Sequence, residues 1–164
     1  MERTRLTRGH LGPVGLIAVI GLAAALAGCN TFAVKTPQGF VSLQRYRTKI
    51  YYKAVSPDNA VITISAFEHK DKGSLDFWAS ILKREMVLQK GYKLTGAETV
   101  RTSGGLEGRQ LTFTTKNGTT PYAYESTLFV TGRYIYVIEA AAKAKRFKAH
   151  RGSIDALVAS FRPR

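Results

Sequence analysis

Catalysis needs a nucleophile, a base or a metal ligand held beside a partner, and this 164-residue chain carries few candidates. Its single cysteine, Cys29, excludes an intramolecular disulfide and any cysteine-cluster metal site. Two histidines, His69 and His150, follow it and read as exposed loop residues. They form no His-Glu-x-x-His zinc motif, and the chain has no Gly-x-x-x-x-Gly-Lys phosphate loop. Ser103 sits in Thr102-Ser103-Gly104-Gly105, without the Gly-x-Ser-x-Gly elbow of a nucleophilic serine, and Gly104 to Gly108 reads as a turn feeding a strand. Ten carboxylates lie beyond Cys29. Glu125 and Glu139 fall on adjacent predicted strands, where two carboxyls facing each other could flank a sugar; neutralising a nearby Lys or Arg is the simpler use. No cluster of oxygens has the density a calcium site needs. The residues point to no catalytic group, no metal and no cofactor.

What remains is charge. The chain holds 25 Lys and Arg against 11 Asp and Glu, a net +14, of which +12 lies beyond residue 28. A field of that size favours anionic partners. Its densest block is Lys143, Lys145, Arg146, Lys148 and Arg151, five cations in nine positions. Such a block either forms a solvated face or holds an anionic polymer or headgroup surface, at about 1 kcal/mol per charge near a membrane. Tyr46, Tyr51, Tyr52, Tyr122, Tyr124, Tyr134 and Tyr136 are able to stack on sugars or bases, although strand tyrosines more often fill cross-strand pairs.

The amino terminus says where those charges sit. Arg3, Arg5 and Arg8 precede an apolar run from Leu11 that ends at Leu26-Ala27-Gly28-Cys29. The run is at the short limit of a membrane span, and Gly12, Pro13, Gly15, Gly21 and Gly28 make it a poor permanent helix. The layout resembles a bacterial lipoprotein signal peptide with a Leu-Ala-Gly-Cys lipobox. That resemblance implies removal of residues 1–28 and acylation of Cys29, giving a membrane anchor of two or more chains. Asn30, rather than Asp, after the cysteine resembles lipoproteins forwarded to the periplasmic face of the outer membrane; a Gram-positive cell would keep the chain on the exterior of the plasma membrane. Export directs the basic charge away from nucleic acid and toward lipid headgroups, lipopolysaccharide or anionic wall polymers. Residues 29–38 are expected to be an acylated cysteine and a loose tether that lets the domain stand off the bilayer.

Residues 39–164 are long enough for one domain with one core. Strands are expected at Phe40–Leu43, Ile50–Val55 and Ala60–Phe67, the last two joined through Ser56-Pro57-Asp58-Asn59. Ser74 reads as the N-cap of an amphipathic helix to about Lys90, stopped by Gly91. Its apolar arc comprises Leu75, Phe77, Trp78, Ile81, Leu82, Met86 and Leu88. Tyr92–Val100 is extended; Leu106–Lys116, Thr119–Thr131 and Tyr134–Ala140 form a meander turning at Asn117-Gly118 and Gly132-Arg133. Ser153 then caps a short helix through Phe161.

This order, with Gly39-Phe40 at its start, Gly104-Gly105 before a long strand and Ser160-Phe161-Arg162 at its close, resembles the PsbP/Mog1-type fold: α+β, an antiparallel sheet flanked by helices in an α/β/α sandwich. That family consists mostly of binding or assembly factors. The resemblance implies a non-enzymatic accessory domain docking on a protein or anionic envelope polymer. A pocket between helix and sheet beneath Trp78 would instead make a small-ligand or lipid-binding module, and carboxylates clustered in a cleft would favour a hydrolase.

Overall fold

The computed structural model describes residues 31–43 and 50–164. The expected signal segment 1–28, Cys29 and Tyr46 lie outside the described residues. Strands β1 (Phe32–Ala33), β2 (Val41–Leu43), β3 (Ile50–Val55) and β4 (Val61–Glu68) lead into helix α1 (Leu75–Arg84), which relaxes into a π-helical turn at Glu85–Gln89. Strands β5 (Lys93–Arg101), β6 (Glu107–Asn117), β7 (Thr120–Val130) and β8 (Tyr134–Lys143) follow, then helix α2 (Ala144–Ser160) and β9 (Arg162–Pro163). Seven strands make one antiparallel sheet in the order β2-β3-β4-β8-β7-β6-β5, and β1 pairs with β9 alone. The expected α+β architecture is the one observed.

Local chemistry explains most boundaries. The Ser74 hydroxyl accepts the Phe77 amide at the start of α1, and Gly91 takes the left-handed φ of +67° that ends the helical segment. The long hairpin turns one residue later than Asn117-Gly118 implies: Asn117 pairs with Thr120, so Gly118 and Thr119 form the loop, and Gly118 supplies the positive φ at its first position. β4 reaches the middle of the sheet because both of its faces are apolar; it pairs with β3 on one side and β8 on the other.

The two faces of the sheet carry unequal cores. One face lies under α2, where Ile62, Ile64, Phe129, Tyr136, Ile138 and Ala140 meet Phe147, Ile154, Leu157, Val158 and Phe161. The other lies under α1, where Met86, Leu111 and Phe113 form a smaller cluster with Leu82, Leu94 and Tyr124 around them. The apolar arc of α1 is therefore only partly used: Phe77, Ile81 and Leu88 remain exposed. Gly108 sits in β6 because no Cβ fits there; one would meet the Leu128 carbonyl and the Phe129 ring at 2.6 Å. That ring stacks on Phe161 at 5.1 Å and 9°.

Two further expectations change. The terminal helix starts at Ala144, not Ser153, so the basic block is helical and follows directly on β8. The expected loose tether is docked where it is described. Phe32 is buried against Tyr136 and Phe161. The Lys35 amide donates to Ser160 Oγ, and the Thr31 carbonyl accepts from both the Tyr136 hydroxyl and the Arg164 amide. The domain begins by Thr31, and it does not stand off on residues 31–38.

Candidate functional site

The basic block divides into two groups with different surroundings. Lys143 ends β8, and Lys145, Arg146 and Lys148 occupy the first turns of α2, all four exposed. Arg146 reaches Asp58 at 3.5 Å. Asp58 also accepts from the Ser56 hydroxyl and lies 2.8 Å from His150 Nε2, and these contacts, the Ser56 hydrogen bond foremost, hold its carboxyl below the usual range. The β3–β4 turn is thereby tied to α2. Lys143, Lys145 and Lys148 form no ion pair among the described residues.

Arg151 leaves the block. Its guanidinium turns toward the sheet, placing Nη1 2.6 Å from Glu125 Oε2, Nη2 3.1 Å from Gln110 Oε1 and Nε 3.1 Å from Asp155. Glu125 is 1% exposed, and Gln110 Nε2 donates to its other oxygen at 2.9 Å. Burial pushes this carboxyl up to about 7, outweighing the attraction of Arg151. Burial pulls the Arg151 guanidinium down, but Glu125 and Asp155 outweigh it and the net direction is upward. Glu98, Gln110, Arg151 and Asp155 open onto a cleft of about 320 Å³ at the β5 edge of α2. The polar groups in its floor are satisfied by one another, which is the arrangement of a structural ion pair.

The facing of Glu125 and Glu139 that a sugar site would need does not occur, and Glu125 has the simpler use, pairing with Arg151. Glu125 registers with Ala140, and Glu139 with Ser126, so the two carboxyls point to opposite faces of the sheet. Glu139 accepts from the hydroxyls of Tyr124 and Thr63 instead. Nor are the histidines exposed loop residues. His69 is buried, with Nδ1 2.8 Å from the Thr131 carbonyl and Nε2 accepting from the Trp78 indole, so it pins the β4–α1 connection. His150 sits under the Phe40 ring beside Asp58. Among the described residues no group of three His, Cys, Asp or Glu is placed to hold a metal, and no helix is long and apolar enough to cross a membrane.

The end of the sheet where α2 begins collects cations and tyrosines. Lys143 registers with Tyr122, Tyr122 with Thr115, Lys116 with Pro121 and Lys93 with Thr114. Tyr92, Thr115, Lys116, Asn117, Tyr122 and Tyr124 line a hollow of about 400 Å³. A second hollow, of about 550 Å³, shares Thr115 and Lys116 and adds Lys93. Tyr92 and Lys93 were not singled out in the sequence, because strand β5 reaches this end only through its pairing with β6. The opposite end of α2 meets β1 and β9. With 17 residues in the helix, the two ends are about 25 Å apart.

No family model matches the sequence, and neither does any curated protein. Solved structures do match the fold. LpqN, involved in cell envelope biogenesis of Mycobacterium tuberculosis, superposes with a TM-score of 0.63 at 12% identity, over 79% of this chain and 81% of that one. The cyanobacterial PsbP protein CyanoP of Synechocystis gives 0.57 at 12% identity, over 93% of this chain and 100% of its own. The Ran-binding protein Mog1p of Saccharomyces cerevisiae gives 0.55 at 13% identity, over 81% and 90%. At these identities the likeness is one of fold, and the fold is the PsbP/Mog1-like α/β/α sandwich.

Proposed function

We propose that this protein is a non-enzymatic envelope lipoprotein, anchored through acylated Cys29, whose domain binds an anionic envelope polymer at the end where α2 begins. The observation that carries this reading is the separation of the two ends of α2. Phe32 is buried three residues after Cys29, so the chain between them spans at most about 10 Å. An acylated Cys29 therefore holds the β1–β9 end, with exposed Lys35, Arg162 and Arg164, against the bilayer. Lys143, Lys145 and Lys148 then lie about 18–25 Å back along α2 from its Ser160 end, beyond the Debye length at physiological salt. That geometry favours a polymer over the protein's own headgroups as their partner. The involvement of LpqN in cell envelope biogenesis is consistent with an accessory role in the same compartment.

The experiment is capture on neutral liposomes. Protein reconstituted through its own lipid into phosphatidylcholine vesicles is mixed with polygalacturonate or with uncharged dextran, and the vesicles are sedimented. The polyanion co-sediments at low salt and is released as salt rises; dextran stays in solution. Reversing Lys143, Lys145 and Lys148 to Glu abolishes capture. Salt-insensitive capture, or equal capture of dextran, would overturn the polymer reading. For the anchor, fatty-acid label on a Cys29→Ala variant would refute acylation at that sulfur.

A further inference from the structure

The hollow beside those lysines has walls the fold does not use. Of its three tyrosines, only Tyr124 has its hydroxyl engaged among the described residues, donating to Glu139. The Tyr92 ring meets Tyr124 edge to face at 5.4 Å and 80°, which fixes the back of the hollow. Tyr122 has no ring contact, and the hydroxyls of Tyr92 and Tyr122, the Thr115 hydroxyl and the Asn117 amide make no hydrogen bond among the described residues. Tyr122 and Thr115 register across β7 and β6, and Lys143 registers with Tyr122 from β8. Directly opposed residues share a face, with Cβ atoms about 5 Å apart. The Tyr122 ring thus shares its face with Thr115 on one side and with Lys143 on the other, beside about 400 Å³ of open space that Thr115 and Lys116 help to line and at whose margin Lys143 stands.

From this arrangement we infer that the hollow is a saccharide subsite, taking a sugar ring that carries a carboxylate. The inference rests on the polymer-binding reading above and specifies its ligand. A sugar ring has one apolar C–H face and a rim of hydroxyls. The Tyr122 ring offers a surface for the first, while Asn117, Thr115 and the Tyr92 hydroxyl offer donors and acceptors for the second. Ligand sites combine such apolar area with a few placed polar groups in volumes of a few hundred Å³. The charge requirement comes from Lys116 and Lys143, which form no ion pair among the described residues. The second hollow shares Thr115 and Lys116, but its Lys93 registers with Thr114 and its Lys116 with Pro121, on the opposite face of the strands from Tyr122, so the subsite is confined to the first hollow. An acidic peptide would meet the lysines but make no use of the stacking face.

The test compares three ligands of matched length on the acylated protein, extracted in a polyoxyethylene detergent without a sugar headgroup: an oligogalacturonate, an uncharged malto-oligosaccharide and an oligoglutamate. Calorimetry should find the oligogalacturonate bound at least ten-fold more tightly than either other ligand. Tyr122→Ala should lower its affinity about ten-fold and leave oligoglutamate within two-fold, whereas Tyr122→Phe, which keeps the ring, should stay within three-fold of the wild type. Equal binding of oligogalacturonate and oligoglutamate, unmoved by Tyr122→Ala, would overturn the saccharide subsite and leave the cationic end intact. Equal binding of the uncharged sugar would overturn the carboxylate requirement. Binding of none of the three would overturn both this inference and the reading on which it rests.

Discussion

Arg151 Nη1 lies 2.6 Å from Glu125 Oε2, and it reaches that carboxylate from the middle of α2, across the open edge of the sheet. Glu125 is 1% exposed, so among the described residues its compensation for lost water is Arg151 and the amide of Gln110. Removing one partner of such a pair strands the other. Arg151→Met is expected to cost about 3–5 kcal/mol of unfolding free energy at pH 8. Adding Glu125→Gln should restore most of it, because a neutral amide needs no counter-charge and keeps the Gln110 contact. Urea denaturation of the two single variants and the double variant measures the coupling; additive losses would show that the pair is not a unit.

The same carboxyl makes stability depend on pH. Its proton affinity rises from about 4.5 in the unfolded chain to about 7 in the fold, with burial as the main cause and with Glu98 and Asp155 adding to it against Arg151. Between those values the folded protein holds a proton that the unfolded chain has released. The contribution is therefore full below about pH 4.5 and is lost as pH rises through about 7. Relative to Glu125→Gln, in which this titration is absent, the wild type should lose roughly 2–3 kcal/mol between pH 5 and pH 8. Parallel unfolding curves for the two proteins across that range would contradict the burial of an ionisable group at this position.

How much of this was legible in the sequence varied with the range of the interaction that decides it. Ser74 and Gly91 act within one helical turn, so both ends of the α1 segment were readable, and β4 announced its central place by being apolar on both faces. The resemblance to the PsbP/Mog1-type sandwich rested on that element order together with the short motifs at Gly39-Phe40, Gly104-Gly105 and Ser160-Phe161-Arg162. The start of α2 was obscured by Gly152, which looks like a break and yet lies in mid-helix, and by lysines that carry no apolar period over 143–148. β1 and β9 are two residues each, too short for any period, and are placed by Phe32 entering a core built from Tyr136 and Phe161 more than a hundred residues away. Arg151 looked like one more surface cation because nothing near it in sequence reveals Glu125. The tyrosine hollow needs the β5–β6–β7–β8 registers together, and no single stretch contains them.

Gly108 offers a test of close packing within the sheet. A methyl group there would lie 2.6 Å from the Leu128 carbonyl and from the Phe129 ring, and neither neighbour is a flexible side-chain end. Phe129 is held in turn by its stack on Phe161. Gly108→Ala should therefore destabilise by about 2–3 kcal/mol through overpacking, despite the entropic advantage alanine ordinarily has over glycine in a strand. Gly104→Ala is the control: its new Cβ would meet only the Thr102 hydroxyl, at 3.7 Å, and should leave the midpoint of thermal unfolding nearly unchanged. Equal effects at the two glycines would remove the reason given for Gly108.

Phe32 connects the domain to whatever precedes it. Its ring meets Tyr136 edge-on at 6.0 Å and Phe161 at 5.6 Å, inside the core under α2. Truncating a buried phenylalanine typically costs about 3–5 kcal/mol. Here the loss should fall mainly on the β1–β9 pair, because the other strands and α2 retain their own contacts. In Phe32→Ala the Lys35 amide, bonded to Ser160 Oγ, and the Arg164 amide, bonded to the Thr31 carbonyl, should exchange hydrogen faster by a factor of a hundred or more. Amides in the middle of β7 and β8 should change far less. Uniform acceleration across the sheet would mean instead that β1 is integral to the global unfolding unit. In that case the anchor proposed at Cys29 would be coupled to the stability of the whole domain.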